Sequence, residues 1–373
     1  LARRYGSGVR LEVVDTCPDE LATFLLGQFE LAEEDLYRVN GPVNLTRMMS
    51  LLGEVDRPEL LYRSYTPGLP KNLQKGGSLF DAIAAGDILL HHPFQAFSPL
   101  EELLAEAARD PAVLAIKQTL YRTGADSPIV NSLVEAARGG KEVTVVVELR
   151  ARFDEADNLA LASRLQEAGA IVIYGVMAYK THAKMMHMVR REKGRLRHYA
   201  HLGTGNYHSR TARLYTDYSL LTANEALCED VHQVFQQLSG MGRARHIETL
   251  LHAPFTLHEG MVAMIDREAE HARKGRRAHL IIKCNSLTEP KLIQALYRAS
   301  RAGVECDLII RGQCCLRPGV PGVSDNIRVR SIIGRFLEHT RVFHFHNNGR
   351  PEVWGSSADF MSRNMFHRVE TCF

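Results

Sequence analysis

From about residue 79 onward, short apolar runs alternate with amphipathic stretches, the texture of strands and helices following one another. DILLHH (87–92), VLAIKQTL (113–120), EVTVVVEL (142–149), AIVIYGV (170–176), AKMMHMV (183–189) and LRHYAHL (196–202) read as strands. Between them a three-to-four-residue period predicts helices. One is opened by a capping box with proline, Ser98-Pro99-Leu100-Glu101, and another by Ser127-Pro128. Several strand runs are apolar throughout rather than alternating, as expected for a sheet covered on both faces, so the fold class is α/β.

The first stretch, up to about Gly68, has helical signals. Thr16-Cys17-Pro18-Asp19-Glu20 sets a capping residue, a proline and acids ahead of LATFLLGQFELAEEDL. TPGLPKNLQKGGS (66–78) then reads as a linker or exposed loop. Three segments are expected: 1–69 as the tail of a helical or mixed head domain, 70–249 as one α/β domain, and 250–373 as another, truncated at its end. With Leu1 at its start and the strand-like RVETCF at its end, the chain reads as an internal piece of a longer protein.

The two α/β segments repeat each other. The stretch from Ala115 to Phe153 resembles that from Ile281 to Leu316, with Lys117 answering to Lys283, Leu133 to Leu296, Gly140 to Gly303 and Glu142 to Glu305. His182-Ala183-Lys184-Met185-Met186-His187 matches His339-Thr340-Arg341-Val342-Phe343-His344, and GTGNY at Gly203 matches GSSADF at Gly355. Each copy carries His-x-Lys/Arg followed by a Gly/Ser/Thr-rich turn, so two domains are expected to face each other across one site.

Composition narrows the class. A chain of 373 residues, 45% of them hydrophobic, can bury two or three cores. Its 46 basic and 43 acidic residues nearly balance, which argues against a histone-like coat, but nine Lys/Arg against one acid fall between Lys180 and Arg213. Seven cysteines, with an adjacent pair and no CxxC, fit a reducing cytosol rather than a disulfide framework or a zinc site. No apolar run approaches the roughly 18 residues of a membrane span, and no signal peptide is visible.

His182 has three candidate roles: core histidine, metal ligand or nucleophile. No HExxH or other ligand spacing accompanies either histidine, which disfavours zinc. Strand alternation would place His182 beside Lys184, and His339 beside Arg341. A neutral imidazole is a competent nucleophile toward phosphorus, and a neighbouring cation both lowers its pKa and holds an anionic electrophile. Arg122, Arg150, Arg152, Arg311, Arg363 and Arg368 gather at strand ends, where open α/β sheets bind ligands, and their forks match phosphate oxygens. The group points to a polyanionic phosphate substrate. Asp154, Glu155 and Asp157 suit a helix cap better than Mg²⁺. There is no GxxxxGK[ST] loop, no HRD or DFG, and GTGNYH lacks the third glycine of a dinucleotide fingerprint.

Taken together, VVVELRARFDE, KTHAKM, HLGTGNYHSRTARLYTDYSLLT, IIRGQCCLRPG, SDNIRVRSIIGRFLEHTRVFHF and GSSADFMSRN resemble the bacterial polyphosphate kinases of the first, histidine-phosphorylated type. The resemblance runs from about Gly68 to the end, and the stretch before it is similar to the tail of that family's head domain. It implies two tandem phospholipase-D-like α/β domains. It also implies reversible transfer of the ATP γ-phosphate to a polyphosphate chain through a phosphohistidine, with Mg²⁺. His182 matches the phosphorylated histidine, and His339 the second histidine, assigned to acid/base work or to aiding transfer. Arg122 and Arg152 match arginines of the Mg²⁺–phosphate neighbourhood and are not expected as inner-sphere ligands. Tyr215, Arg311 and His339 match nucleotide contacts, and Lys184, Asn206 and Arg368 phosphate contacts. The partners implied are ATP/ADP and inorganic polyphosphate, with no nucleic acid. A cytoplasmic, homo-oligomeric full-length enzyme is implied as well, and peripheral membrane association is compatible with it.

Two rival readings remain at this point. A phospholipase-D-type phosphodiesterase or nuclease would share the paired histidines, but its HxKxxxxD motif is broken by Val189, His346 and Arg341. A non-catalytic polyanion-binding module would use the 180–213 basic cluster and leaves the doubled histidines unexplained.

Overall fold

The computed structural model describes residues 8–74, 76–121, 127–148, 155–175, 179–240 and 247–373. The chain divides into two compact units, Leu1–Ser64 and Tyr65–Phe373. In the first, β1 (Leu11–Val14) pairs in parallel with β2 (Leu36–Val39), and α1 (Asp19–Phe29) buries Ala22 and Leu26. The helix is shorter than its sequence suggests: Glu30 turns into the left-handed region at φ 56°, and LAEEDL goes on only as a short 3-10 turn. Its N-cap is Pro18, with no side-chain cap. Beyond β2 comes the short α2 (Leu51–Glu54), where Leu51 and Leu52 stay exposed.

The second unit holds the elements of both repeats. In the first repeat they are α3 (Leu79–Ala85), β3 (Ile88–His92), α4 (Ser98–Arg109), β4 (Val113–Leu120), α5 (Pro128–Arg138), β5 (Glu142–Val147), α6 (Glu155–Glu167), β6 (Ile171–Tyr174), β7 (Lys180–Thr181), β8 (Lys184–Glu192), β9 (Arg195–Gly203), α7 (Ser209–Ala212), β10 (Tyr215–Thr222) and α8 (Glu225–Leu238). The second repeat supplies β11 (Leu251–Ala253), α9 (Leu257–Arg273), β12 (His279–Cys284), α10 (Pro290–Arg301), β13 (Glu305–Ile310), β14 (Ile327–Arg330), β15 (Leu337–Glu338), β16 (Arg341–Phe345), β17 (Glu352–Ser356), α11 (Ser362–Phe366) and β18 (Arg368–Cys372).

Two eight-stranded sheets result, and they share one topology. The first runs β15-β10-β9-β8-β4-β5-β6 with β3 on β10, and the second β11-β18-β17-β16-β12-β13-β14 with β7 on β18. In each, three parallel strands (β4-β5-β6, β12-β13-β14) are followed by antiparallel ones. Each sheet also takes one two-residue strand from the other repeat: β7 lies parallel to β18, and β15 parallel to β10. The repeats therefore close as one body by exchanging a strand.

The uninterrupted apolar runs are explained by cover on both faces. Val143, Val145 and Val147 of β5, with Met186 and Met188 of β8, pack with Leu100, Leu103 and Leu104 of α4 and Leu133 of α5. The alternate residues Val146, Met185 and Leu202 meet Val231, Val234 and Phe235 of α8. Period-two alternation thus feeds two cores rather than a core and solvent. In the second repeat α9 and α10 bring Met261, Ile265, Leu292 and Leu296 onto Leu280, Ile282, Leu308, Phe343 and Phe345. Gly140 (φ +83°) and Gly303 (φ +96°), matched in the repeat, follow α5 and α10 in the left-handed conformation that costs glycine least.

Two local expectations are corrected and a third is narrowed. The Ser98 capping box does not form: Phe97 is the N-cap, no side chain caps the helix, and Ser98 is already helical. Of the two readings of 66–78 the exposed loop is the one found: most of it is exposed, Gly68 exchanges backbone hydrogen bonds with Phe94 and Ala96, and Ser78 caps α3. The basic cluster is not one surface. Lys184 begins β8, whereas Arg190 and Arg197 lie near its far end, roughly 20–25 Å away at 3.2–3.4 Å per residue, where they pair with Asp110 and Glu192.

Phe343 is fully buried, packs against Phe360 with the rings tilted and their centroids 4.9 Å apart, and lies opposite Trp354 in the β16–β17 ladder. Phe343→Ala is expected to cost about 3–5 kcal/mol, read as a lower urea midpoint in the fluorescence of this tryptophan.

Candidate active site

Each histidine of interest sits where the chain leaves one sheet for the other. Lys180 and Thr181 pair with β18, and the ladder to β9 then begins at Lys184. The step between them is bridged by the His182 and Ala183 amides, which both donate to Val369 O at 3.0 and 2.8 Å. Leu337 and Glu338 likewise pair with β10 before Arg341 joins β17. The His339 amide donates to Thr216 Oγ1 at 3.2 Å. His182 and His339 thus lie outside the ladders that Lys184 and Arg341 begin, yet each imidazole keeps its expected cation beside it: Arg341 Nη1 reaches His339 Nε2 at 3.0 Å, and Lys184 is the charge felt most at His182. A chain changing sheets must break its ladder, and the break falls on the histidine.

The exchange supplies each imidazole with a carboxylate from the other repeat. His182 Nδ1 lies 2.8 Å from Glu370 Oε2, and His339 Nδ1 lies 2.9 Å from both oxygens of Asp217. Thr204 Oγ1 donates to Asp217 at 2.7 Å, while Ser357 Oγ and Asn364 Nδ2 donate to Glu370 at 2.5 and 2.6 Å. An ionised carboxylate only accepts, so Nδ1 of His339 carries the proton opposite Asp217 and Nε2 holds the lone pair; burial raises Glu370 against the pull of Lys184, Ser357 and Arg368, and in its ionised form it fixes the same tautomer at His182. The hydroxyl donors come from the Gly/Ser/Thr-rich turns, and Asn364 from α11. Ladder register pairs Lys184 with Gly203 and Arg341 with Ser356, so Thr204 corresponds to Ser357 and Asn206 to Asp359. This differs by one residue from the match of Gly203 to Gly355. A Cβ at Gly205 would overlap the Asp217 carboxyl, so this glycine is required by close approach.

Cations surround the pair. Lys184 Nζ donates to His182 O, and burial lowers this ammonium to about 7 despite the opposing charge of Glu370. Arg341 clamps Asp359 through Nε and Nη2 at 3.2 and 2.9 Å, and its Nη1 reaches His339 O at 2.8 Å and His339 Nε2 at 3.0 Å. Arg368 is half-buried, has no hydrogen bond or ion pair among the described residues, and is felt at His182. Burial, followed by Lys184, Arg368 and Arg341, holds His182 well below the ordinary 6.5. His339 is lowered by burial and Arg341 against the pull of Asp217. Burial would raise the Asp217 carboxyl, but His339, Thr204 and Arg341 together keep it below the usual range.

Among the other expected residues, Tyr215 and Arg311 line a cavity of about 520 Å³ with Ile333, Phe336 and Glu338. The Tyr215 ring lies 5.3 Å from that of His339, and Arg311 Nη1 donates to Glu338 O at 3.0 Å. Asn206 Oδ1 is buried without a hydrogen-bond partner. Arg363 is exposed on α11. Arg122, Arg150, Arg152 and Asp154 lie outside the described residues, as do the side chains of Glu155 and Asp157.

Sequence reasoning missed Asp217, Glu370 and Asp359. For Asp217 and Glu370 the available signal was an acid inside the apolar strands YTDYSLLT and RVETC, a costly placement unless the charge is paired. These acids also bear on Mg²⁺. Among the described residues no group of three or more His, Cys, Asp or Glu is placed to hold a metal, and the buried carboxylates are spent on His182, His339 and Arg341.

A depressed histidine pKa means that below the unfolded value of 6.5 the unfolded chain binds a proton that the folded one refuses. Stability from His182 is thus present above pH 6.5 and is lost as pH falls below it. In ¹⁵N imidazole spectra His182 is expected to remain the neutral Nδ1–H tautomer at pH 6.0, where a free histidine is mostly protonated. A midpoint at or above 6.5 contradicts this.

Family models place this geometry among known proteins. The polyphosphate kinase C-terminal domain 1 matches residues 78–244, C-terminal domain 2 matches 250–373, and the middle domain matches 1–51. A polyphosphate kinase of Pseudomonas aeruginosa is 63% identical over 100% of this chain and 54% of its own length. One from Neisseria meningitidis serogroup B is 56% identical over 99% of this chain and 54% of its own. The crystal structure of polyphosphate kinase from Porphyromonas gingivalis superposes with a TM-score of 0.85 at 37% identity, covering 97% of this chain and 55% of that one. A phosphatidylserine synthase of Haemophilus influenzae Rd KW20 shares the fold, at a TM-score of 0.52 and 10% identity over 78% of this chain and 82% of that one. The two tandem α/β domains expected from the repeat are the ones found, in the architecture of the Porphyromonas gingivalis enzyme. The chain spans about half the length of the curated relatives it matches. Three consecutive family domains and this identity along the whole chain show that it belongs to the polyphosphate kinase family.

Proposed function

We propose that this chain carries the phosphohistidine chemistry of an ATP:polyphosphate phosphotransferase, with His182 as phosphate carrier. The observation that carries the reading is a neutral imidazole oriented through Nδ1 by Glu370, with Nε2 open among Lys184, Arg341 and Arg368. In the first step the Nε2 lone pair attacks the γ-phosphorus, the bond to the bridging oxygen of ADP breaks, and ADP leaves. A terminal oxygen of polyphosphate then attacks the phosphorus, and the P–N bond breaks. Both steps are reversible. The Nδ1 proton stays on the Glu370 side throughout. The phosphoryl group in flight is poor in covalent demands and rich in charge, so aligned cations are what the site has to supply. His339, facing Tyr215, aids transfer at the nucleotide end.

The cavity lined by Tyr215, Arg311, Ile333 and Phe336 suits a nucleobase and its phosphates, with aromatic and aliphatic walls for the base and a guanidinium for an oxyanion. Asn206 and Arg368 are assigned to phosphate oxygens, Asn206 through its Nδ2 amide, the part of this side chain that donates, and Arg368 because its guanidinium has no partner among the described residues. Magnesium belongs to this reading as part of the substrate, carried in on the nucleotide phosphates. A cytoplasmic setting is supported by seven free thiols. No helix among the described residues is long and apolar enough to cross a membrane.

Given γ-labelled ATP, a full-length family protein carrying this sequence is expected to acquire acid-labile, base-stable phosphate on His182. His182→Ala should abolish the label, and labelling equal to wild type would remove His182 from the nucleophile's role. His339→Ala is expected to lower kcat by about 10²–10⁴-fold with a smaller change in KM for ATP, and an unchanged kcat would contradict its part in transfer.

A further inference from the structure

The repeats put different cations at one station, and the difference reaches the histidines. Lys184 and Arg341 occupy equivalent positions, and each donates to the carbonyl of the histidine two residues earlier. Lys184 has no hydrogen bond to an imidazole nitrogen. Arg341 does, because Nη1 carries two hydrogens and offers the second to His339 Nε2 at 3.0 Å. The rest of the fork is pinned on Asp359, which also accepts the Asn285 amide at 2.7 Å. The residue corresponding to Asp359 in the first repeat is Asn206, which has no charge to anchor a second guanidinium.

A guanidinium has no acceptor and keeps its proton in proteins, so Nε2 of His339 must accept. Nδ1 of His339 donates to Asp217, and both ring nitrogens are therefore committed. At His182 only Nδ1 is committed, and no described residue donates to Nε2. Exposure does not explain a preference for His182, since 11% of its side chain is accessible against 15% for His339.

We infer that Arg341 is the positioning residue that confines phosphoryl acceptance to His182, by holding the Nε2 lone pair of His339 in a hydrogen bond. The inference deepens the phosphohistidine reading and rests on it for its biological meaning. Its chemistry can be tested without ATP. Phosphoramidate transfers its phosphoryl group to a neutral imidazole: the ring nitrogen attacks phosphorus, the P–N bond of the reagent breaks, and ammonia leaves with the displaced proton.

The full chain is treated with phosphoramidate, and the modified histidines are mapped by mass spectrometry over time. In the wild type His182 is expected to react about 10- to 100-fold faster than His339, the factor that a hydrogen bond to a charged group represents. A ratio near one overturns the inference without any variant. In Arg341→Lys the ratio should fall toward one as His339 becomes reactive, and an unchanged ratio in a folded variant also overturns it. If that variant does not fold, Lys184→Arg combined with Asn206→Asp rebuilds the fork at the first repeat. There the His182 rate should drop by the same factor, and an undiminished rate counts against the inference. Labelling with ATP separates the two claims. If phosphoramidate shows the expected ratios while ATP labels neither histidine, the phosphohistidine reading fails and the role of Arg341 stands. If ATP labels His182 and the ratios do not move, only the inference falls.

Discussion

The site depends on two hydrogen-bonded pairs that cross between the repeats, His182 with Glu370 and His339 with Asp217. Glu370 and Asp217 lie in β18 and β10, at most 4% exposed, where a lone carboxylate would be strongly disfavoured. Hydroxyl donors from the neighbouring turns, the Asn364 amide from α11 and an imidazole from the opposite repeat engage them. The two-residue strands β7 and β15 deliver those imidazoles. Strand exchange, carboxylate satisfaction and imidazole orientation are thus one constraint seen at three levels. Loss of either short strand would leave a buried acid without its partner and a histidine without a fixed tautomer.

Electrostatics gives the pairs their direction. Burial and three cations keep His182 neutral, so a nucleophile and a cation-rich anion site coexist without the imidazole itself being charged. Lys184, brought near neutrality by burial, is the one cation of the group whose charge depends on pH within the physiological range. The arginines provide the permanent field, which is what a substrate bearing several negative charges demands.

Much of the fold was legible because it is local. Apolar runs marked the strands β3, β4, β5, β8 and β9, and the repeat foretold two copies of one architecture. The helix openings were less legible, since Ser98 and Thr16 had the right chemistry for caps that the tertiary structure did not use. The histidines and their cations could be found because HxK and HxR recur. Their carboxylates could not be assigned in the same way: Glu370 is 188 residues from His182 and Asp217 is 122 from His339, and only the exchanged strands bring them together. The same gap hides the step between sheets at each histidine. Nothing local signals that a chain reading as continuous β structure changes sheets at one residue.

Reciprocal lending of this kind also constrains ancestry. A single repeat with its histidine in one sheet and its carboxylate awaiting a foreign imidazole is incomplete, and two identical copies complete each other only around a two-fold axis. In such a symmetric pair both stations must hold the same residue, so both histidines must have the same chemistry. Joining the copies in one chain lifts that requirement. Lysine at 184 and arginine at 341 are a difference that no homodimer could encode, and specialisation of two once-equivalent histidines becomes available only after fusion.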